Sequence, residues 1–147
     1  MATRSVIAKI EAKGIGGADD TIKAIYCHND GYLSNNGKIL DLYYTDNTDE
    51  QDAKDKINEL LAGGDISSLR DTIADTTFYM RDRGESNKEA TTLKDESALL
   101  EFAFESCDAE VVYMYAYGAW YVYDNSNKIG TTSHQFIELE EALYVRI

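Results

Sequence analysis

Cys27 and His28 are the first residues in the chain that invite a chemical reading, as nucleophile and base. Adjacent residues in a strand point to opposite faces, so these two cannot form a dyad with each other. Cys27 reads as a core thiol, the usual fate of a free cysteine. A zinc site built from Cys27, His28, Cys107 and His134 would lack the short ligand spacing that zinc motifs use, so no metal is expected. His28 and Asp30 lie two apart and can project to one side. The residues that follow, Gly31 to Gly37, are rich in hydrogen-bonding groups, with Tyr32 and Asn36 among them. The plain structural reading is that Asp30-Gly31 and Asn36-Gly37 are turns.

Arg81 and Arg83 form a second candidate. In an extended segment they face the same way, and two guanidinium forks side by side can grip a phosphate or carboxylate. The competing reading is an ion-pair network with Asp82 and Glu85. The third candidate is aromatic: Tyr113, Tyr115, Tyr117 and Trp120 fall on one face of a strand pair. That face either stacks on planar ligands, packs in the core or joins subunits, with a homo-oligomer through the Tyr-rich hairpin as an open alternative. No phosphate loop, dinucleotide fingerprint, nucleophile elbow or zincin motif occurs, and Gly14-Ile15-Gly16-Gly17 reads as a flexible turn.

These residues must be held by elements that the pattern places in order. Arg4–Ile10 and Thr21–His28 alternate as strands and predict an antiparallel hairpin. His28–Gly37 reads as a polar loop. Lys38–Tyr44 reads as a short helix with Ile39, Leu42 and Tyr43 on one side. Thr48, with Gln51 three residues on, predicts the start of a longer helix with Ala53, Ile57, Leu60 and Leu61 as its buried stripe, stopped by Gly63 and Gly64. Asp65–Leu69 reads as a further turn of helix, Thr76–Arg81 as a strand and Arg83–Lys94 as a loop. Asp95–Cys107 reads as a helix carrying Leu99, Phe102 and Ala103. Glu110–Tyr117 and Trp120–Asp124 predict a hairpin across Gly118-Ala119, pairing Tyr117 with Trp120 and Tyr115 with Val122. Gln135–Ile147 fits helix and strand equally. The expectation is one α+β domain over residues 1–147, an antiparallel sheet of hairpins packed with two to three helices.

Composition bounds the partners. Asp and Glu number 27 against 14 Lys and Arg, for a net charge of -13. Such a surface repels nucleic acid and anionic membranes, so direct binding to either is not expected. Carboxylates recur at Asp49, Asp52 and Asp55, and again at Glu101–Glu110 and Glu138–Glu141. With 44% hydrophobic residues, the 147-residue chain can bury a core without disulfides. Proline is absent, where about seven would be usual at ~5% frequency, so Gly, Asn, Asp and Ser must make the turns. The N-terminus lacks a signal-peptide pattern, and the apolar stretch Val111–Tyr123 is too short and Tyr-rich to span a bilayer as a helix; a cytoplasmic protein with reduced thiols is expected.

The segments ATRSVIA at 2–8, IYCHNDGYLSNNGKIL at 25–40, GDISSL at 64–69 and RDRGE at 81–85 resemble a group of small proteins encoded by phages and prophages. The commoner form of the second segment carries Trp where this chain has Asn29, which removes an aromatic group beside His28 and Asp30. The resemblance implies a setting inside an infected or lysogenic bacterium, and a non-enzymatic counter-defence role. Two mechanisms fit that setting. In one, the chain sequesters a small anionic, nucleotide-like immune signal: His28, Asp30, Tyr32 and Asn36 line the pocket, and Arg81 and Arg83 neutralise phosphates. In the other, the acidic surface, with Asp49, Asp52 and Asp55, mimics nucleic acid and binds a host defence protein such as a CRISPR effector or restriction nuclease. The first is the leading expectation, because an acidic mimic has no need of the CHNDGY and RDRGE segments. A phosphodiester hydrolase built on His28, Asp30, Arg81 and Arg83 is a weaker third reading, and no cofactor is expected.

Overall fold

The computed structural model describes residues 3–11, 21–45, 50–70, 72–78, 90–116, 118–124 and 136–144. Its frame is one mixed, mostly antiparallel sheet. The strands are β1 (Ser5–Glu11), β2 (Thr21–Cys27), β3 (Ile66–Ser68), β4 (Thr77–Phe78), β5 (Thr91–Leu93), β6 (Val111–Ala116), β7 (Ala119–Asp124) and β8 (Ile137–Glu138). The order across the sheet is β4-β3-β2-β1-β6-β7-β8, and β5 also pairs with β2. The architecture is α+β.

The expected β1–β2 hairpin forms, with Ser5 opposite Cys27 and Glu11 opposite Thr21. Two pairings are parallel, β1 with β6 and β2 with β3. The sheet is therefore not a simple run of hairpins. Asp65–Leu69, expected as a helical turn, instead holds strand β3. The tight geometry at Gly64, with φ of 80°, ends the preceding helix and releases the chain into extended form. Thr91–Leu93, expected as loop, is strand β5 against Ile22–Ala24. Its β-branched residues suit a strand, but three residues carry too little pattern to stand out.

The β6–β7 hairpin keeps the expected faces with a register shifted by two. Tyr115 pairs with Trp120 and Tyr113 with Val122, so Gly118, at φ of 81°, is second in the connection rather than first. A shift of two leaves every side chain on its face, which is why the pattern could not resolve it.

Alternation gives the sheet two apolar faces. Ile7, Ile25, Cys27, Val111, Tyr113, Tyr115, Trp120 and Val122 form one. It is covered by α1 (Lys38–Tyr43), α2 (Glu50–Ala62) and α4 (Leu139–Tyr144). Val6, Ala8, Ile22, Ala24, Val112 and Met114 form the other, covered by α3 (Glu96–Glu101) and the π-helical turn Phe102–Ser106 that continues it. The Tyr-rich face is thus core within a single chain. Tyr113, Tyr115 and Trp120 are buried there, and the face is not free to join subunits. Tyr117 lies outside the described residues.

The helices follow local rules. Asp95 caps α3 by accepting from the Ala98 amide at 2.8 Å, and Glu96 sits in the first turn where the helix dipole favours it. Ile57, Leu60 and Leu61 are the buried stripe of α2, as their spacing predicts, while Thr48 and the side chain of Ala53 lie outside the described residues. The first helix is longer and differently turned than expected. A π-helical turn at Leu33–Gly37 runs directly into α1, and Leu33, Asn36, Leu40 and Tyr44 face inward. Leu42 and Tyr43, expected on the buried side, are exposed. The buried polar Asn36 disguises the start of this helix as loop. No described helix is long and apolar enough to cross a membrane.

Candidate functional site

The described residues of ATRSVIA, IYCHNDGYLSNNGKIL and GDISSL converge at one end of the sheet, where β2 ends and β1 begins. The His28 amide donates to the Ile66 carbonyl at 3.1 Å and the Asn29 amide to the Ser67 carbonyl at 2.9 Å. The Asn29 side chain adds a bond to Ser67 Oγ. The Gly31 amide donates to the Thr3 carbonyl at 2.8 Å, and the Gly31 carbonyl accepts from the Tyr113 hydroxyl at 2.6 Å. Asn36, fully buried, donates to Ser5 Oγ at 3.2 Å and to Cys27 Sγ at 3.4 Å. Asn35 reaches back to the Asp30 carbonyl, and Asp65 accepts from the Tyr26 amide. Residues of ATRS, CHNDGY, SNNG and GDISSL are therefore one hydrogen-bonded knot.

That knot assigns different duties to the four residues expected to line a pocket. Asn36 is committed to Ser5 and Cys27 and does not reach solvent. Asp30 holds a left-handed backbone, with φ of 57°. Half-buried His28 shares a 2.7 Å hydrogen bond between its Nδ1 and the Tyr26 hydroxyl. Tyr32 is exposed, at the start of the Leu33–Gly37 turn. His28, Asp30 and Tyr32 therefore share one end of the sheet, while Asn36 braces it from within. Arg81 and Arg83 lie outside the described residues.

Cys27 is buried on the helix-covered face. Burial pushes its thiol above the ordinary value of 9.0, with the Asn36 and Ser5 hydrogen bonds opposing. Cys107 packs against the opposite face of the sheet, so the two cysteines cannot share a metal. His134 lies outside the described residues.

Sequence reasoning did not anticipate a cleft of about 390 Å³ between α1, the tip of the β6–β7 hairpin and the start of α4. Asp41, Glu138 and Glu140 bring three carboxylates to it, and Leu42, Trp120 and Leu139 supply apolar wall. None of the described lining residues is basic. Leu42, one of the exposed large apolar side chains among the described residues, lies at this cleft. Its charge suits a cationic group with an alkyl stem, such as a lysine or arginine side chain. The sequence signal lies in the acids of Glu138–Glu141, but α1 presents Leu42 outward, opposite to the face its apolar spacing predicts. Of the acids expected as a partner surface, Asp55 is exposed on α2, while Asp49 and the side chain of Asp52 lie outside the described residues. Comparison with protein-family models, with curated proteins and with solved structures gave no match.

Proposed function

We propose that this protein is a non-enzymatic, acidic binding protein that docks onto the cationic surface of a partner protein, its carboxylates standing where nucleic-acid phosphates would lie. The carrying observation is the cleft with Asp41, Glu138 and Glu140 on its walls and no basic side chain in its described lining, in a chain of net charge -13. Exposed Asp55, Glu59, Glu101 and Glu105 extend the same sign over other elements. The setting implied by the phage-protein resemblance makes the partner a host defence protein, such as a CRISPR effector or restriction nuclease. The test is inhibition of nucleic-acid binding by a panel of such proteins. Inhibition should weaken steeply as salt rises. The triple change Asp41→Asn, Glu138→Gln, Glu140→Gln should cost roughly tenfold or more, about 1.4 kcal/mol per factor of ten. Inhibition that survives both high salt and this triple change would sink the reading.

A second reading, sequestration of a small nucleotide-like signal, is favoured by the position of His28, Asp30 and Tyr32 together at one end of the sheet. Its test is the melting temperature of the protein against a panel of cyclic and linear nucleotides. Loss of any shift in the Arg81→Ala, Arg83→Ala double variant would support it, and an unchanged shift would remove those two residues from the site.

A further inference from the structure

A second constellation lies on the face covered by α1, α2 and α4, in the cross-strand row Lys23, Lys9, Tyr115 and Trp120, whose far end lines the acidic cleft. Lys9 of β1 is directly opposite Lys23 of β2 in the antiparallel register. Direct opposition puts the two side chains on the same face, with Cβ atoms roughly 5 Å apart. Like charges placed this way repel and destabilise a strand pair. Lys9 is only 7% exposed, yet among the described residues it makes no hydrogen bond or ion pair. The half-buried Lys23 has none there either.

The next row inward on this face is Ile25, Ile7, Tyr113 and Val122, all buried. On the outer side, Thr21 follows Lys23 on the same face. Its hydroxyl is buried without a hydrogen-bond partner among the described residues. Thr92 of β5 is directly opposite Lys23 and adds another hydroxyl. Glu11 is the register partner of Thr21, and its side chain lies outside the described residues. A protein with nearly twice as many acids as bases has thus placed two lysines face to face, beside a hydroxyl that bonds to nothing described.

We infer that Lys9 and Lys23 form an anion-binding site for a phosphate group, with the Thr21 and Thr92 hydroxyls as further donors. A dianionic phosphate matches two ammonium charges, where one carboxylate would neutralise only half of them. Each ammonium offers three donors and each hydroxyl one, which suits the several acceptor oxygens of phosphate. Lys23, half-buried, leaves the site open on one side. The site goes beyond the docking reading and does not depend on it, since its charge is opposite and its residues are different.

The experiment is thermal melting of the whole chain in millimolar inorganic phosphate and, separately, in adenosine monophosphate, each matched in ionic strength with chloride. Phosphorus NMR line broadening gives an independent readout. The wild type should melt several degrees higher at roughly 100-fold saturation. Lys9→Met keeps the alkyl volume and removes the charge, so the unliganded variant should fold and melt above the unliganded wild type. It should also lose the phosphate shift. Lys23→Ser, at the half-exposed position, should lose it too. A shift with phosphate alone identifies the free ion as the ligand. A larger shift with the nucleotide identifies a phosphomonoester. No shift or broadening beyond the chloride control, or an equal response in both variants, would overturn the proposal.

Discussion

The hydroxyl of Tyr113, in the middle of β6, donates to the backbone carbonyl of Gly31 across 82 residues of sequence. Both partners are sealed from water, so the bond fixes the turn after β2 to the centre of the sheet. Tyr113→Phe leaves the Gly31 carbonyl without this donor and should cost about 1–2 kcal/mol. Urea unfolding would read this as a lower midpoint with an unchanged slope.

Gly31 and Gly37 make a contrasting pair. A Cβ at Gly31 would lie 2.6 Å from Ser5 Cβ and 2.8 Å from the Thr3 carbonyl oxygen. One of these is backbone within a strand-end bond and cannot move away cheaply. Gly31→Ala should therefore destabilise by about 2 kcal/mol or more. At Gly37 the nearest atoms stand 3.4 Å away on Leu139 and Leu33, and the backbone is helical. Gly37→Ala should be neutral or stabilise by up to about 1 kcal/mol. Equal losses at both positions, measured by thermal melting, would contradict this packing.

Asp30 separates fold from function. Its left-handed backbone costs an ordinary side chain about 1 kcal/mol, which glycine would not incur. Asp30→Gly should hold or slightly raise the melting temperature. If the carboxylate acts at the exposed end of the sheet, that variant should lose ligand or partner binding while staying folded. A fall of several degrees would instead show the side chain bracing the knot.

Cys27 gives a pH signature. Its folded thiol ionises above the ordinary value of 9.0, because burial penalises the thiolate. The unfolded chain therefore loses this proton first as pH rises. Stability from this group is complete below about pH 9 and declines as pH climbs from there toward the folded value. Cys27→Ala should flatten that alkaline decline. In native labelling with a thiol reagent, Cys107 should react first and Cys27 only at the rate of opening.

Some of this was legible in the sequence. Val6, Ala8 and Ile10 against Ile7 gave β1 by alternation, and Ile57, Leu60 and Leu61 gave α2 by helical spacing. What was lost depends on context outside the window. Strand β3 is three residues with two serines, and it is a strand because β2 and β4 flank it. Asn36 has the composition of a turn residue. Only the approach of Ser5 and Cys27 makes it an internal amide. The Lys9–Lys23 opposition follows from the register of the β1–β2 pair, which alternation alone does not fix. The acidic cleft needed three distant segments and was not readable from any of them alone.

The parallel pairing of β1 with β6 joins distant segments, and Arg4 meets Asp108 across 104 residues. During synthesis, the β1–β2 pair must emerge and wait with the β1 edge bare until β6 has left the ribosome. Folding is then slow for a protein of this size, because the central ladder closes the longest loop. A nascent chain stalled before Val111 would present an apolar strand with one bare edge, the species most in need of a chaperone.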